Sequence, residues 1–506
     1  MGGSGGTGPV KVETCEQAAA FPSSEGCEFW AVDLDQIDGA GNDPASAPWG
    51  VVVTATSGAV TRVRIEQNAA APGAPQVLQV LSEIELQPGE TRGIELQPRE
   101  LDCGPKPNDP KAPGTCLSSQ ALRITADAPV TAQQFNTATN SSSNDASLLL
   151  PTSALGRRYH VIGWGAGHPV AVTIPGLDFI SRSYVTIVGV EPGTEVTVTP
   201  TARIKGNGPV AKTEAGGTIK LTLGPFDVLN LETDAMTQQE VDALAGKKNP
   251  ADLSGTVVSA SKPVAVFSGS ELTGVPGYLK VPTYPGWGSD TCCLDHLEEQ
   301  MLPLETTGSR YVVTRSPVRS TGSAYEEPDV LRFVGGLEPS TVTTNLPPPF
   351  DQFTLQPGEV KDAWTQKDAV VSASNPISVG QLLVSSGYVQ GSQTGDPSLL
   401  VLVPVEQFRT RYATPMPTSW PKNYAVLAVP QGAEVLLDGA PLQGCVVAPA
   451  GTMEGVAYEA RRCQLTEGPH VLESAEPFGV SVYGYGSTGS YAYSGGASLA
   501  PINPLP

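Results

Sequence analysis

The sequence predicts an all-β fold assembled from four internal repeats, and three observations carry that prediction. Short runs of alternating Val, Ile and Thr are bounded by Gly and Pro, the pattern of strands and turns. The chain holds 55 Gly and 47 Pro in 506 residues, which demands frequent turns and leaves no room for long helices. A fixed series of strand and turn patterns also recurs in the same order along the chain, the mark of a repeat architecture.

Each repeat opens with a strand, a Pro/Gly turn and a second strand, at residues 50–65, 184–198, 330–344 and 424–437, which read as hairpins. A strand and turn follow, with Leu-Gln-Pro-Gly-Glu at both 86–90 and 355–359. A strand then runs into Pro129, Pro263, Pro376 or Pro477 and continues as an alternating strand. Last comes a proline with a tyrosine eight residues on, as in Pro151 and Tyr159, Pro303 and Tyr311, and Pro404 and Tyr412. The repeats span about residues 28–165, 166–318, 319–418 and 419–506. The fourth lacks its tyrosine strand, and Cys27 to Leu34 matches that strand in length and alternation. Pairing it with the last repeat would remove exposed edges, so the expected architecture is a closed, propeller-like toroid, with tandem β-sandwiches as the alternative. Repeated Pro, Tyr and Leu are read as packing and turn residues.

Charge and hydropathy exclude other classes. With 30 Lys+Arg against 51 Asp+Glu, the net charge of −21 argues against nucleic-acid binding. Only 16% of residues are charged and 40% are hydrophobic, so the chain should fold. No apolar run reaches the ~18 residues of a membrane span. Residues 1–14 read as a flexible Gly/Ser-rich linker ahead of a repeat domain over 15–506: either the tether of a lipid-anchored surface protein, which would be its sole membrane association, or an appended expression sequence.

Six of the eight cysteines form local pairs, Cys15 with Cys27, Cys103 with Cys116 and Cys445 with Cys463, the pattern of disulfides in an oxidising compartment. Cys116 and Cys463 stand at matching places before Pro129 and Pro477. Cys292 and Cys293 are adjacent, and a vicinal bridge, pairing elsewhere or free thiols all remain open.

Candidate chemistry is sparse. Gly484 to Gly489 matches G-x-G-x-x-G, but no helix follows to cradle a phosphate, and no nucleophile elbow occurs. Asp33, Asp35, Asp38, Asn42 and Asp43 offer oxygen ligands for Ca²⁺, although Ile37 falls where the EF-hand spacing needs a ligand, and a solvated acidic loop is the competing reading. Asp295, His296 and Glu298, in a polar stretch beside the Cys pair, could bind a ligand or a metal or serve as acid and base, against the plainer reading of a charged loop capping a strand. Trp164 and Trp287 sit in Gly-rich stretches where loop aromatics suit recognition of protein or sugar, with core packing the alternative.

The stretches Cys15 through Cys27-Glu-Phe-Trp-Ala-Val-Asp-Leu and Cys292-Cys-Leu-Asp-His-Leu-Glu-Glu-Gln-Met-Leu-Pro303, with Gly308 and Tyr311, resemble the IgG-Fc-binding protein N-terminal domain family, which includes bacterial secreted and lipoprotein members. The resemblance implies an extracellular or surface-attached, non-enzymatic domain, and disulfide use, the tether reading of residues 1–14, the repeats and the absence of an assembled catalytic motif point to a binding or adhesion module that recognises a protein or glycan. It supplies no catalytic residue, and eight cysteines leave no room for the cysteine-rich modules of the animal mucus protein, so Fc binding itself is not carried over. The alternatives are a carbohydrate-active enzyme on a propeller-like scaffold, with Asp295, His296 and Glu298 as acid and base, and a structural component of a surface layer or matrix.

Overall fold

The computed structural model describes residues 12–37, 44–99, 101, 114–137, 143–170, 172–174, 177–244, 247–288, 292–322, 324–391, 394–418 and 420–503. Strand predominates, at 48% against 6% helix, and the sheets are curled. The chain is all-β, as its alternating Val and Thr require.

A long strand organises each of four units. In the first, Leu122–Asn136 pairs along its first half with Thr61–Asn68 and along its second half with Trp49–Ala55. In the second, Val257–Thr273 pairs likewise with Thr194–Thr199 and Ser183–Gly189. In the fourth, Gly468–Tyr485 pairs with Val435–Leu437 and Lys422–Pro430. The third unit divides the long strand into Ala369–Ala373 and Ile377–Leu383, which pair with Ser340–Thr344 and Asp329–Gly335. Pro129, Pro263 and Pro477 lie inside the long strands and Pro376 lies in the break. A proline has no N–H for the ladder, so the pairing partner changes around it.

This geometry corrects the hairpin reading. The two arms of each strand–turn–strand do not pair with one another; they run one after the other along the same long strand, antiparallel to its two halves. The turn is a kink that carries the chain from one leaf of the unit to the other. Each unit is thus two curled leaves sharing kinked strands, an arrangement compatible with tandem sandwiches, and no closed propeller is shown among the described residues.

The N-terminal strand is corrected as well. Gly26–Ala31 pairs with Leu122–Asn136 of the first unit, not with the last repeat. It takes the place filled by Gly156–His160 in the second unit, Arg310–Val313 in the third and Arg409–Met416 in the fourth. Every tyrosine strand therefore opens the unit that follows it, and the fourth repeat lacks nothing. The N-terminal segment does reach the C-terminal one through main-chain bonds, from Ser24 N–H to the Ala497 carbonyl (2.9 Å) and from Leu499 N–H to the Pro22 carbonyl (3.0 Å).

The recurring residues have physical duties. Tyr159, Tyr311 and Tyr412 donate their hydroxyls to the carbonyls of Val264 (2.6 Å), Ile377 (2.5 Å) and Phe478, each the residue after a repeat proline. Those hydroxyls satisfy carbonyls where the ladder changes partner. At the corresponding place the first unit carries Phe29, without a hydroxyl. Gly156 and Gly308 face the prolines of the next junction: a Cβ on either would come within 2.4 Å of Pro303 or 2.6 Å of Pro404.

Bridges join Cys15 to Cys27, Cys445 to Cys463 and Cys292 to Cys293. Cys116 is also bridged, while Cys103 lies outside the described residues. These bridges fit an extracellular, oxidising location. The described part of the chain contains no helix long and apolar enough to cross a membrane. The linker reading of residues 1–14 falls mostly outside the described residues. Residues 15–20 form a short helix capped by the Thr14 hydroxyl.

Candidate functional site

A cleft of about 650 Å³ opens where the second and third units meet. Its floor begins with a charged residue in an apolar strand. Asp329–Gly335 reads Asp-Val-Leu-Arg-Phe-Val-Gly, and burying its mid-strand Arg332 requires partners for all five guanidinium N–H groups. Arg332 donates to both oxygens of Asp362 on the neighbouring strand (2.8 Å each), and to Asp252 (2.8 Å), the Gly163 carbonyl (2.7 Å) and the Ser254 hydroxyl (2.8 Å). Burial opposes the Arg332 charge, but the two carboxylates outweigh it and hold its pKa above the usual arginine value. Burial likewise pushes the Asp252 carboxyl up, and the Arg332 charge brings it below the ordinary range.

Trp164, Tyr278 and Tyr388 form the aromatic part of the wall, and Trp287, Tyr325 and Tyr284 pack beside it. Trp164 lies with its ring 4.1 Å from the Arg332 guanidinium carbon and stacks on Tyr278, with ring centres 6.2 Å apart and planes 13° from parallel. Its indole N–H donates to the Gly274 carbonyl (3.2 Å), and the Tyr278 hydroxyl donates to Asp362. Trp287 packs on Tyr388 at 5.0 Å and donates to the Gly387 carbonyl (3.0 Å). Tyr325 donates to the carbonyls of Tyr388 (3.1 Å) and Pro282 (3.3 Å) and meets Tyr284 edge-on at 5.7 Å. Tyr278, Tyr284, Trp287, Tyr325 and Tyr388 are all half-buried. The Cys292–Cys293 bridge and His168 also line the opening. Such a cleft has the volume and the mixed apolar and polar lining of a recognition site.

Trp164 and Trp287, singled out in the sequence, therefore meet at one site, Trp164 in its wall and Trp287 packed on the lining residue Tyr388. The others lie elsewhere. Asp295, His296 and Glu298 are fully buried (0% exposed) in the strand Asp295–Gln300, which corrects the charged-loop reading. Burial drives the His296 pKa down to about 3, so its ring is neutral. The Tyr184 hydroxyl lies 3.4 Å from His296 Nε2 and the Glu298 carboxylate 3.5 Å from it. The Ca²⁺ candidates are split: Asp38, Asn42 and Asp43 lie outside the described residues. Asp33 is buried, accepts the Arg99 N–H (2.5 Å), and has its pKa raised to about 8 by burial. Asp35 instead joins Glu232 and Glu271, with one oxygen of each within 4.8 Å of the others. Arg182 already serves that cluster, with Nε 3.4 Å from Glu232 and its N–H on Glu271 (3.1 Å). The sequence reading therefore missed Arg332, Asp252, Asp362 and Tyr278. The available signal was the single Arg within an apolar strand.

A second cleft, about 490 Å³ near the chain ends, is lined by Phe21, Glu25, Arg409 and Arg411. Its charges are already paired, Arg409 with Glu25 and Arg411 with Glu473.

Comparison with known proteins bears on this architecture. The human (Homo sapiens) IgGFc-binding protein is 25% identical over 399 residues, covering 77% of this chain and 6% of that protein. The chain thus spans a small fraction of that relative's length. A crystal structure of the major pilin from Streptococcus pyogenes covers 67% of this chain and 98% of its own at 9% identity; its TM-score of 0.14 carries no argument. A family profile described as IgGFc binding protein matches residues 145–484, from the strand Asp145–Leu148 of the first unit through most of the fourth, including every residue of the Arg332 network. The chain belongs to the IgGFc binding protein family.

Proposed function

We propose that the chain is an extracellular protein-binding module without catalytic activity, and that its partner inserts side chains into the cleft between the second and third units. The observation that carries this reading is the lining of the cleft by Trp164, Tyr278 and Tyr388, with Trp287 and Tyr325 packed against Tyr388 and Tyr284 against Tyr325, over a polar floor whose charges are already spent on one another. Rigid aromatics fixed by their own hydrogen bonds lose little entropy on binding and are the usual anchors of protein interfaces. Asp252 and Asp362 are engaged by Arg332, so the floor holds them as counter-ions, not as acid and base. Family membership supports a protein partner, and the human relative's name makes the Fc part of IgG the first to test. Recognition of a glycan, an adhesive role at a cell surface and a lipid-anchored N-terminal tether are finer readings of the same proposal.

The test is binding of the oxidised full chain to immobilised IgG Fc, other extracellular proteins and a glycan panel, with Trp287→Ala and Tyr284→Ala alongside. Saturable binding to a protein that either variant weakens at least about tenfold, the scale of a hot-spot residue, supports the proposal. Binding untouched by both variants places the interface elsewhere, and cleavage of any panel member removes the non-catalytic reading.

A further inference from the structure

The last or closing strands of the four units, Asp145–Leu148, Asp295–Gln300, Leu399–Val401 and Ser490–Ser494, converge on one carboxylate. Asp145 Oδ1 accepts the N–H groups of Ala146 (3.0 Å) and Ala492 (3.2 Å), and its Oδ2 those of Leu399 (2.9 Å) and Glu298 (3.3 Å). Four N–H donors, one from each closing strand, suit an ionised carboxylate, since a protonated one would point a hydrogen at a donor. Beside it lie Asp295 and Asp396, both 0% exposed. Asp295 Oδ1 accepts the Asn144 (2.7 Å) and His296 (2.9 Å) N–H groups, and Asp396 Oδ1 accepts that of Ser386 (2.9 Å).

The second oxygen of Asp295 and of Asp396 has no hydrogen-bond partner, and neither does the Ser398 hydroxyl, which is 1% exposed; the fully buried Ser386 hydroxyl faces the Asp396 carboxyl. Asp295, Asp396 and Ser386 are neighbours. The Ser386 main chain is hydrogen-bonded to Asp396, Ser398 is two residues on from it, and the Cys293 N–H, two residues before Asp295, also serves the Asp396 carboxyl. After burial itself, the charge of Asp396 is the strongest influence raising the Asp295 pKa, with Asp145 adding to it. Among the described residues the cation that acts on Asp396 is Arg319, which is already paired with the buried Glu327 at 3.5 Å. His296 supplies no charge.

Buried like charges with unused oxygens need either a counter-charge or a shared proton, and burial raises the pKa of both Asp295 and Asp396. We propose that Asp295 and Asp396, with the hydroxyls of Ser386 and Ser398, hold a hard divalent cation, Ca²⁺, at the junction of the four closing strands. Two carboxylates balance its charge, and hydroxyl oxygens and water can complete the six to eight oxygen ligands that Ca²⁺ takes. The affinity expected of an extracellular module, a Kd of about 10⁻⁴–10⁻³ M, suits the location that the disulfides indicate. The site is distinct from Asp35, Glu232 and Glu271, where Arg182 already supplies the positive charge.

Thermal unfolding of the full chain, with EDTA or with increasing CaCl₂ at neutral pH, tests this. The expected result is a Tm that rises with CaCl₂, half-saturating at about 10⁻⁴–10⁻³ M, a response that Asp295→Asn and Asp396→Asn abolish and Asp35→Asn leaves intact. Should the Asn variants fail to fold, Ser398→Ala serves in their place and should raise the half-saturating concentration several-fold. An identical Tm in EDTA and CaCl₂ overturns the proposal. So does a calcium response that survives Asp295→Asn and Asp396→Asn, or one that Asp35→Asn removes. Stabilisation on acidification without a calcium response would mean that the two carboxyls share a proton, and equally overturns it.

Discussion

Replacing Arg332 with Met removes the one cation shared by Asp252 and Asp362 while keeping most of the side-chain volume. Both carboxylates are buried, at 2% and 3% side-chain exposure, and each sits 2.8 Å from the guanidinium. Deleting one partner of a buried ion pair costs about 3–5 kcal/mol, because the charge left behind is neither hydrated nor paired. Loss of the guanidinium from the Trp164 face adds up to about 2 kcal/mol in a desolvated setting. The two effects share the same atoms and do not simply add, so a loss of about 5 kcal/mol is expected. The assay is urea unfolding of the full chain followed by tryptophan fluorescence, comparing midpoints at unchanged slope.

The loss should also depend on pH. In the native chain Arg332 holds Asp252 below its ordinary pKa, a contribution present above the unfolded pKa near 4 and lost as pH falls through the folded value. Without Arg332, burial is opposed only by Lys248 at 3.4 Å and the Ser254 hydrogen bonds, so the Asp252 pKa moves up and protonation relieves the variant. Its deficit should therefore be larger at about pH 8 than at about pH 5. Neutralising the carboxyls as well, in Arg332→Met with Asp252→Asn and Asp362→Asn, should recover most of the loss, since replacing a whole buried ionic group is often near neutral. A single-variant loss below about 1 kcal/mol, or a triple variant no better than the single, would refute the reasoning.

Other expectations follow from the repeat. Tyr311→Phe and Tyr412→Phe each leave a buried carbonyl short of its donor, at a cost of about 1–3 kcal/mol, read as lower urea midpoints. Asp145→Asn turns an amide donor toward strand N–H groups and should cost at least about 3 kcal/mol, with hydrogen-exchange protection lost together in 145–148, 295–300, 399–401 and 490–494. Removing the Cys445–Cys463 bridge as a double Ser variant should cost about 2–4 kcal/mol, checked by the same unfolding assay under non-reducing conditions.

Much of the fold was legible because its punctuation is local. Prolines at 129, 263, 376 and 477 and the tyrosines eight residues after Pro151, Pro303 and Pro404 mark positions whose steric and hydrogen-bonding demands are the same in each unit. The mistaken frame had a definite cause. A tyrosine strand follows its proline in sequence but pairs with the next long strand, and sequence order does not reveal which neighbour a strand chooses. The hairpin reading failed likewise, since a turn that kinks one strand and a turn that reverses it use the same Gly and Pro.

The site was half legible. Trp164 and Trp287 stand out by their Gly-rich surroundings, but Asp362 meets Arg332 only through cross-strand pairing and Asp252 only when the second unit docks on the third. Asp295 to Glu299 has the composition of a polar loop, yet it forms a buried strand in which Asn144, Ser147, Gln134 and the Asp145 carboxylate meet part of its polar groups. Tertiary context there overrides local preference.

The most direct test of the central claim measures binding of the folded full chain to immobilised extracellular proteins alongside Trp287→Ala, with unfolding midpoints taken on the same samples. The account predicts saturable binding to a protein, weakened at least about tenfold by the substitution while the midpoint stays within about 1 kcal/mol of the native chain. Binding of unchanged strength in a variant that folds equally well would contradict it.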